Sequence, residues 1–230
     1  MTIFTLTDLV HKNIHLGHNM EYFNPKTNKY IYKTINKKSI IDIIQTAKYL
    51  STSYSYFYLA GYYNQNILFI GYRQQQVNSL IKNIASITGN FYCNSSWIPG
   101  TLTNWNMIKS RLILLEWIYS LIQNNDIKMK LSFNIYSKLY KIYKKLNYNL
   151  KGLIGLIEIP EIIFILDPNS ENKALQEATK LNKIIVSIVD SNINPTNLLL
   201  PIPGNDKTYK SLQFILKILA AGYLHGTFYN

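Results

Sequence analysis

Cysteine occurs once in these 230 residues, arginine twice, and acidic residues only twelve times. The single thiol, Cys93, excludes an intramolecular disulfide framework and a multi-cysteine zinc site, and it fits a reducing compartment. With Arg73 and Arg111 as the only arginines, lysine supplies the other 22 of 24 basic side chains. Lysines are point charges, better suited to sequence-blind phosphate contact than to bidentate reading of base edges. The shortage of acid leaves a net charge of +12 and a pI near 9.5, which repels cationic partners and suits a polyanion. Nucleic acid is the first class of partner this implies, and an anionic membrane surface the second.

Long apolar runs are missing too. The most apolar stretches, Leu112 to Ile122 and Leu153 to Leu166, are broken by Glu116, Glu158, Pro160 and Glu161, so neither offers the ~18 clean residues of a membrane span. Met1 to Val10 contains Asp8 and no basic run, unlike a secretory signal or an Arg-rich transit peptide. Disorder is excluded by composition, because 47% of the residues are hydrophobic and only 16% charged. The length favours one core with an elaboration. Nineteen tyrosines, with abundant Asn, Ile and Lys, are what an AT-rich genome writes. The expected location is therefore an organelle, the mitochondrion, with a plastid or the bacterial cytoplasm as the alternative.

Three short β-rich runs end in turn residues: Ile67 to Gly71, Glu161 to Asp167 before Pro168, and Lys183 to Asp190. Between the last two lies Glu171 to Leu181, rich in Ala, Leu, Glu and Lys, so the unit reads strand, helix, strand, as in a parallel α/β sheet. Leu212, Ile215, Leu216 and Leu219 mark a closing helix that Asn205 or Asp206 could cap, and Ile40, Ile43, Ile44, Ala47 and Leu50 mark another over Ser39 to Leu59. The middle of the chain breaks the alternation. Trp105, Ile108, Leu112, Leu115 and Ile122 form one helical stripe, and Leu131, Ile135, Leu139, Ile142, Leu146 and Leu150 form a second, with a turn at Asn124-Asn125-Asp126. This predicts an antiparallel helical hairpin over 105–150, inserted into an α/β core made of 1–104 and 151–230. Lys138, Lys141, Lys144 and Lys145 lie off the second stripe, as a solvated face or a phosphate contact.

Signatures of catalysis are scarce. The first strand-to-helix turn, Gly71-Tyr72-Arg73-Gln74-Gln75, has one glycine where a phosphate cradle needs several, and neither a P-loop nor a Gly-x-Ser-x-Gly elbow is present. Asp167 and Asp190 end strands, where they either act as acids or bases or cap the next loop. No His or Lys stands beside them in sequence, which favours capping. His11 and His15 would share a helical face, but with His18 and Glu21 as the only nearby donors the set falls short of a zinc site. No metal and no cofactor is expected. Cys93, in Asn90-Phe91-Tyr92-Cys93, reads as an inert buried thiol.

His15-Leu16-Gly17-His18, followed by Asn24-Pro25-Lys26 and Tyr30-Ile31, resembles the N-terminal signature of the small-subunit ribosomal protein S two family. Four further blocks follow in the family's order: Trp97 to Trp105 with Leu102-Thr103-Asn104, Phe164 to Pro168, Ile188 to Asn192 with Pro195, and Ile202 to Asp206. The chain departs from the pattern at Pro99, where the family usually has a second glycine, at Ile157-Glu158, which replace a glycine pair, and at Arg73, which stands alone where bacterial members carry a Lys-Arg pair. The resemblance implies a flavodoxin-like parallel sheet with helices on both faces and an inserted antiparallel helical hairpin. It also implies no enzymatic activity, and a structural place in the small ribosomal subunit with small-subunit rRNA and neighbouring small-subunit proteins as partners.

On this reading the RNA-binding residues are Lys26, Lys29, Lys33, Lys37 and Lys38 of the N-terminal region, Arg73, Asn104, Lys109 and Arg111, and the hairpin lysines Lys138, Lys141, Lys144 and Lys145. Tyr22, Tyr30 and Tyr32, interleaved with lysines, are candidates for stacking on unpaired bases. No membrane and no small-molecule substrate is expected. The rival reading is a small α/β enzyme acting on a nucleotide or sugar phosphate at the C-terminal ends of the strands.

Overall fold

The computed structural model describes residues 3–72, 75–124 and 132–230. Arg73, the turn residues Asn125 and Asp126, and Leu131 lie outside the described residues.

Three apolar runs predicted as strands form β4 (Ile67–Ile70), β6 (Ile162–Ile165) and β7 (Ile184–Val189), joined by β5 (Phe91–Cys93) and β8 (Leu200–Pro203). All four pairings are parallel, in the spatial order β5-β4-β6-β7-β8. Counted along the chain this is 2-1-3-4-5, the flavodoxin-like order. Strand periodicity explains why both faces need cover: Ile67, Phe69, Ile162 and Phe164 point into one core, and Leu68, Ile70, Ile163 and Ile165 into the other.

The first core is covered by α2 (Ile43–Tyr62), α3 (Gln75–Ile87) and α7 (Tyr209–Phe228). Leu212, Ile215, Leu216 and Leu219, the stripe of the closing helix, are all fully buried there. Asn205 prepares that helix, accepting from the amides of Lys207 (2.8 Å) and Thr208 (3.2 Å). α2 and α7 approach backbone to backbone: a Cβ on Gly226 would lie 2.0 Å from the Tyr58 carbonyl oxygen, and one on Gly61 2.0 Å from that of Tyr223. Only glycine permits this distance.

The second core is covered by α4 (Trp105–Gln123), α5 (Phe133–Leu150) and α6 (Asn172–Lys180). Helices α4 and α5 are the predicted hairpin. Ile108, Leu112, Leu115 and Ile118 are the buried line of α4. The seam of α5 differs from the predicted stripe: Leu139, Tyr143 and Leu146 are half-buried and Leu150 buried, while Ile135 and Ile142 are 51% and 46% exposed. A helix in a two-helix arm has one neighbour, which covers a narrow seam and leaves the flank of a broad stripe in water.

The N-terminal region departs further. After α1 (Leu6–His11), strands β1 (Leu16–Asn19), β2 (Ile31–Ile35) and β3 (Lys38–Ile41) form an antiparallel sheet in the order β1-β3-β2. The helix predicted from Ser39 starts only at Ile43, where Asp42 Oδ1 accepts from the Ile44 amide at 2.9 Å. Ser39 to Ile41 are claimed by pairing on both sides. Asn36 and Lys37 both have positive φ, 48° and 63°, which turns β2 tightly into β3.

Candidate nucleic-acid interface

The N-terminal sheet is stitched onto the C-terminal ends of β7 and β8. The His18 amide donates to Asp190 Oδ1 (3.1 Å) and Ser191 Oγ (3.0 Å), and the Asn24 amide and Thr27 hydroxyl donate to the Ser191 carbonyl (both 2.9 Å). From the other strand end, the Asn205 amide donates to the Ile14 carbonyl at 3.0 Å. This anchors a lysine-bearing platform. Lys26 and Lys29 lie on a short 3-10 helix, Pro25–Tyr30, and Lys33, Lys37 and Lys38 lie on the β2–β3 hairpin, all exposed. Lys26 Nζ donates to Thr196 Oγ1 (3.1 Å), and Lys38 shares a cavity of about 320 Å³ with Lys207, a cation that sequence spacing did not single out.

The proposed stacking tyrosines divide. Tyr30 is buried, edge-on to Tyr49 at 5.6 Å between ring centroids, so it cannot receive a base. Tyr22 and Tyr32 are exposed, and Lys33 Nζ sits 5.6 Å from the Tyr32 ring centre.

On the hairpin, Lys138, Lys141, Lys144 and Lys145 are all exposed. At ~100° per residue they fall within an arc of about 120° on the side of α5 away from Leu139, Tyr143, Leu146 and Leu150. Lys109 is exposed on α4, whereas Arg111, about 200° further round that helix, is half-buried. Asn104 is the exposed residue preceding α4 and makes no side-chain cap.

The loop that leads into the hairpin is organised by a carboxylate that the sequence reading missed. Glu177 of α6 is buried, and its Oε1 accepts from Trp97 Nε1 (3.0 Å) and the Gly100 amide (2.7 Å). Its Oε2 accepts from the amides of Leu102 (2.9 Å) and Thr103 (3.1 Å) and from the Thr103 hydroxyl (3.3 Å). Burial opposes ionisation of this carboxyl, but the Trp97 and backbone hydrogen bonds outweigh it and hold it below the ordinary carboxylate range. Trp105 Nε1 adds a bond to the Ile157 carbonyl at 3.2 Å, so both tryptophans brace the hairpin base.

The strand-end carboxylates act largely as caps. Asp167 accepts from the Asn169 amide (3.0 Å) and the Ser170 hydroxyl (2.6 Å). Between β4 and β6, where sheets of this order bind ligands, Glu171 Oε1 accepts from the Tyr72 amide at 3.1 Å. Its burial, reinforced by Asp167 and opposed by that amide, raises its carboxyl. Asp190, expected as a cap because no His or Lys stands beside it in sequence, meets a histidine from a distant segment: His18 Nδ1 lies 2.8 Å from its Oδ2. With Asp206 they bring three ligand atoms within 4.8 Å of one another, a donor set suited to a divalent cation. His11 and His15 take no part in it, because α1 ends at His11 and His15 continues into the loop before β1.

The model of the family described as "Ribosomal protein S2" matches residues 9–226. The chain belongs to this family. Among relatives, the small ribosomal subunit protein uS2c of Emiliania huxleyi is 35% identical over 226 residues, 98% of each chain. The uS2 proteins of a Picosynechococcus species and of Ehrlichia ruminantium are each 34% identical, over 96% and 94% of this chain and 85% and 75% of their own. In this member of the ribosomal protein S2 family, the Trp97–Trp105 block is the loop that Glu177 organises, and the His15–His18 and Ile188–Asn192 blocks are the two sides of the N-terminal stitch.

Proposed function

We propose that this protein is a structural constituent of the small ribosomal subunit that binds its rRNA through exposed lysines and performs no catalysis. The observation that carries this is charge without compensation. Among the described residues, the only lysine within ion-pair distance of a carboxylate is Lys183, 2.8 Å from Glu161. The remaining described lysines are left to external anions. Family membership and the names of the uS2 relatives support the same reading. The phosphate contacts are proposed for Lys26, Lys29, Lys33, Lys37, Lys38, Lys109, Lys138, Lys141, Lys144 and Lys145. Arg111 and Asn104 flank them at the hairpin base, and Arg73 joins them on its sequence position alone.

Against the enzymatic alternative, Asp167 at its strand end and Glu171 before the next helix are engaged in loop and backbone hydrogen bonds. No described helix is long and apolar enough to cross a membrane. The relatives are plastid and bacterial proteins, which supports a ribosome of an organelle or of the bacterial cytoplasm and lends no specific support to the mitochondrion. The test is co-sedimentation of the full chain with small ribosomal subunits across a salt series. Association should weaken with a log–log slope of roughly −0.7 to −0.9 per phosphate engaged. An affinity indifferent to salt, or no association at all, would reject the reading.

A further inference from the structure

Charge does not account for the tyrosines of the hairpin. Tyr136, Tyr140 and Tyr143 recur along α5, and their rings form a row: Tyr136 and Tyr140 are 6.1 Å apart at 9°, Tyr140 and Tyr143 6.3 Å apart at 24°. Tyr119 of α4 extends it, 6.0 Å from Tyr143 at 23°. One row of near-parallel rings therefore runs across both helices. It is open to solvent, with Tyr119 50% and Tyr140 38% exposed, and Lys144 Nζ stands 4.7 Å from the Tyr140 ring centre.

At the Tyr119 and Tyr143 end the row borders a cavity of about 380 Å³, also lined by Leu115, Glu116, Asn147 and Lys151. That volume is in the ~300–1,000 Å³ range of small-ligand sites. The walls are complementary to a nucleotide: flat aromatic surface, an amide that both donates and accepts, a carboxylate for an exocyclic amino group, and a lysine for a phosphate.

We propose that this face of the hairpin stacks unpaired nucleotides of RNA, with one base seated in the cavity against Tyr119 and Tyr143. Lys144 and Lys151 hold the flanking phosphates. Every base offers a π-face to such a row, whereas a duplex keeps its faces stacked on one another. The inference rests on the RNA-binding reading above and deepens it, since it assigns single-stranded RNA to one surface.

The test uses the full chain with a single-stranded oligoadenylate and an RNA duplex of equal charge, titrated by fluorescence anisotropy at several salt concentrations. The pair Tyr119→Leu and Tyr140→Leu should weaken oligoadenylate binding roughly tenfold or more while leaving its salt slope and the duplex affinity unchanged. The pair Tyr119→Phe and Tyr140→Phe, which keeps the rings, should retain parental affinity. The inference is overturned if the leucine pair binds oligoadenylate as tightly as the parent, if the phenylalanine pair loses as much as the leucine pair, or if duplex binding falls in step. A parent that co-sediments with small subunits yet ignores oligoadenylate overturns this inference alone. One that does neither overturns the RNA reading with it.

Discussion

Glu177 meets five donors with one carboxylate, and that ratio sets its behaviour. Replacing it by Gln leaves the shape but turns a donor toward donors, and we expect Glu177→Gln to lose about 2–4 kcal/mol in urea unfolding at neutral pH. Acid should act on the same bonds. The folded carboxyl titrates below its ordinary value of 4.5, so its stabilisation is complete above that value and is lost as pH falls through the lower folded one. A pH series of melting temperatures should show this acid limb in the parent and a flatter one in Glu177→Gln. Cys93 makes a simpler case. Burial is the main cause that pushes its thiol up to about 11. A thiol reagent at about pH 8 should therefore leave it unmodified until the protein unfolds, and prompt labelling in the folded state would contradict its burial.

Among the elements, the α2–α7 pair has little tolerance for added volume. A methyl at position 226 meets the Tyr58 carbonyl at 2.0 Å and the Tyr62 amide nitrogen at 2.7 Å, backbone atoms that cannot swing aside. Gly226→Ala should cost about 3 kcal/mol, read as a shifted urea midpoint at unchanged slope. The hairpin is more permissive, and unevenly so. We propose that 1–104 and 151–230 form the folding core with 105–150 as its insertion, joined where Ile108, Leu112 and Leu115 enter the second core. Excising 117–140 with a short Gly-Ser closure should then leave the melting temperature near the parent's. Excising 106–149 removes those three side chains from beneath the sheet and should lower it sharply while still leaving a cooperatively melting core. Equal effects of the two deletions would reject the proposed junction.

At the scale of the whole molecule, +12 on 230 residues is a long-range property that no single lysine carries. Its local test is the arc of α5. Changing Lys138, Lys141, Lys144 and Lys145 to Gln should weaken association with small subunits and, if two phosphate contacts are lost, reduce the magnitude of the salt slope by about 1.5. The fold should hardly notice, because exposed substitutions usually stay within ~0.5 kcal/mol each. An unchanged slope would make this face solvent-directed and shift the RNA surface to the platform of Lys26, Lys29, Lys33, Lys37 and Lys38.

What the sequence determined by itself was the set of elements marked by a local apolar pattern, either an unbroken run or a helical stripe. Ile67–Ile70, Ile162–Ile165 and Ile184–Val189 were recognisable as strands because each is a short β-rich run closed by a turn residue, and Leu212 to Leu219 as a helix because its stripe repeats over two turns. The ordered motif blocks pointed to the family from the same letters. Tertiary structure alone decided the rest. Ser39 to Ile41 became a strand because β1 and β2 pair with it, overriding a helical pattern. Ile135 and Ile142 were left in water because one neighbouring helix cannot cover a whole stripe. His18 met Asp190 across 172 residues, and Glu177 met Trp97 across 80. Periodicity reports which side chains leave water and is silent on which neighbour receives them, so contacts between distant segments leave no local trace to read.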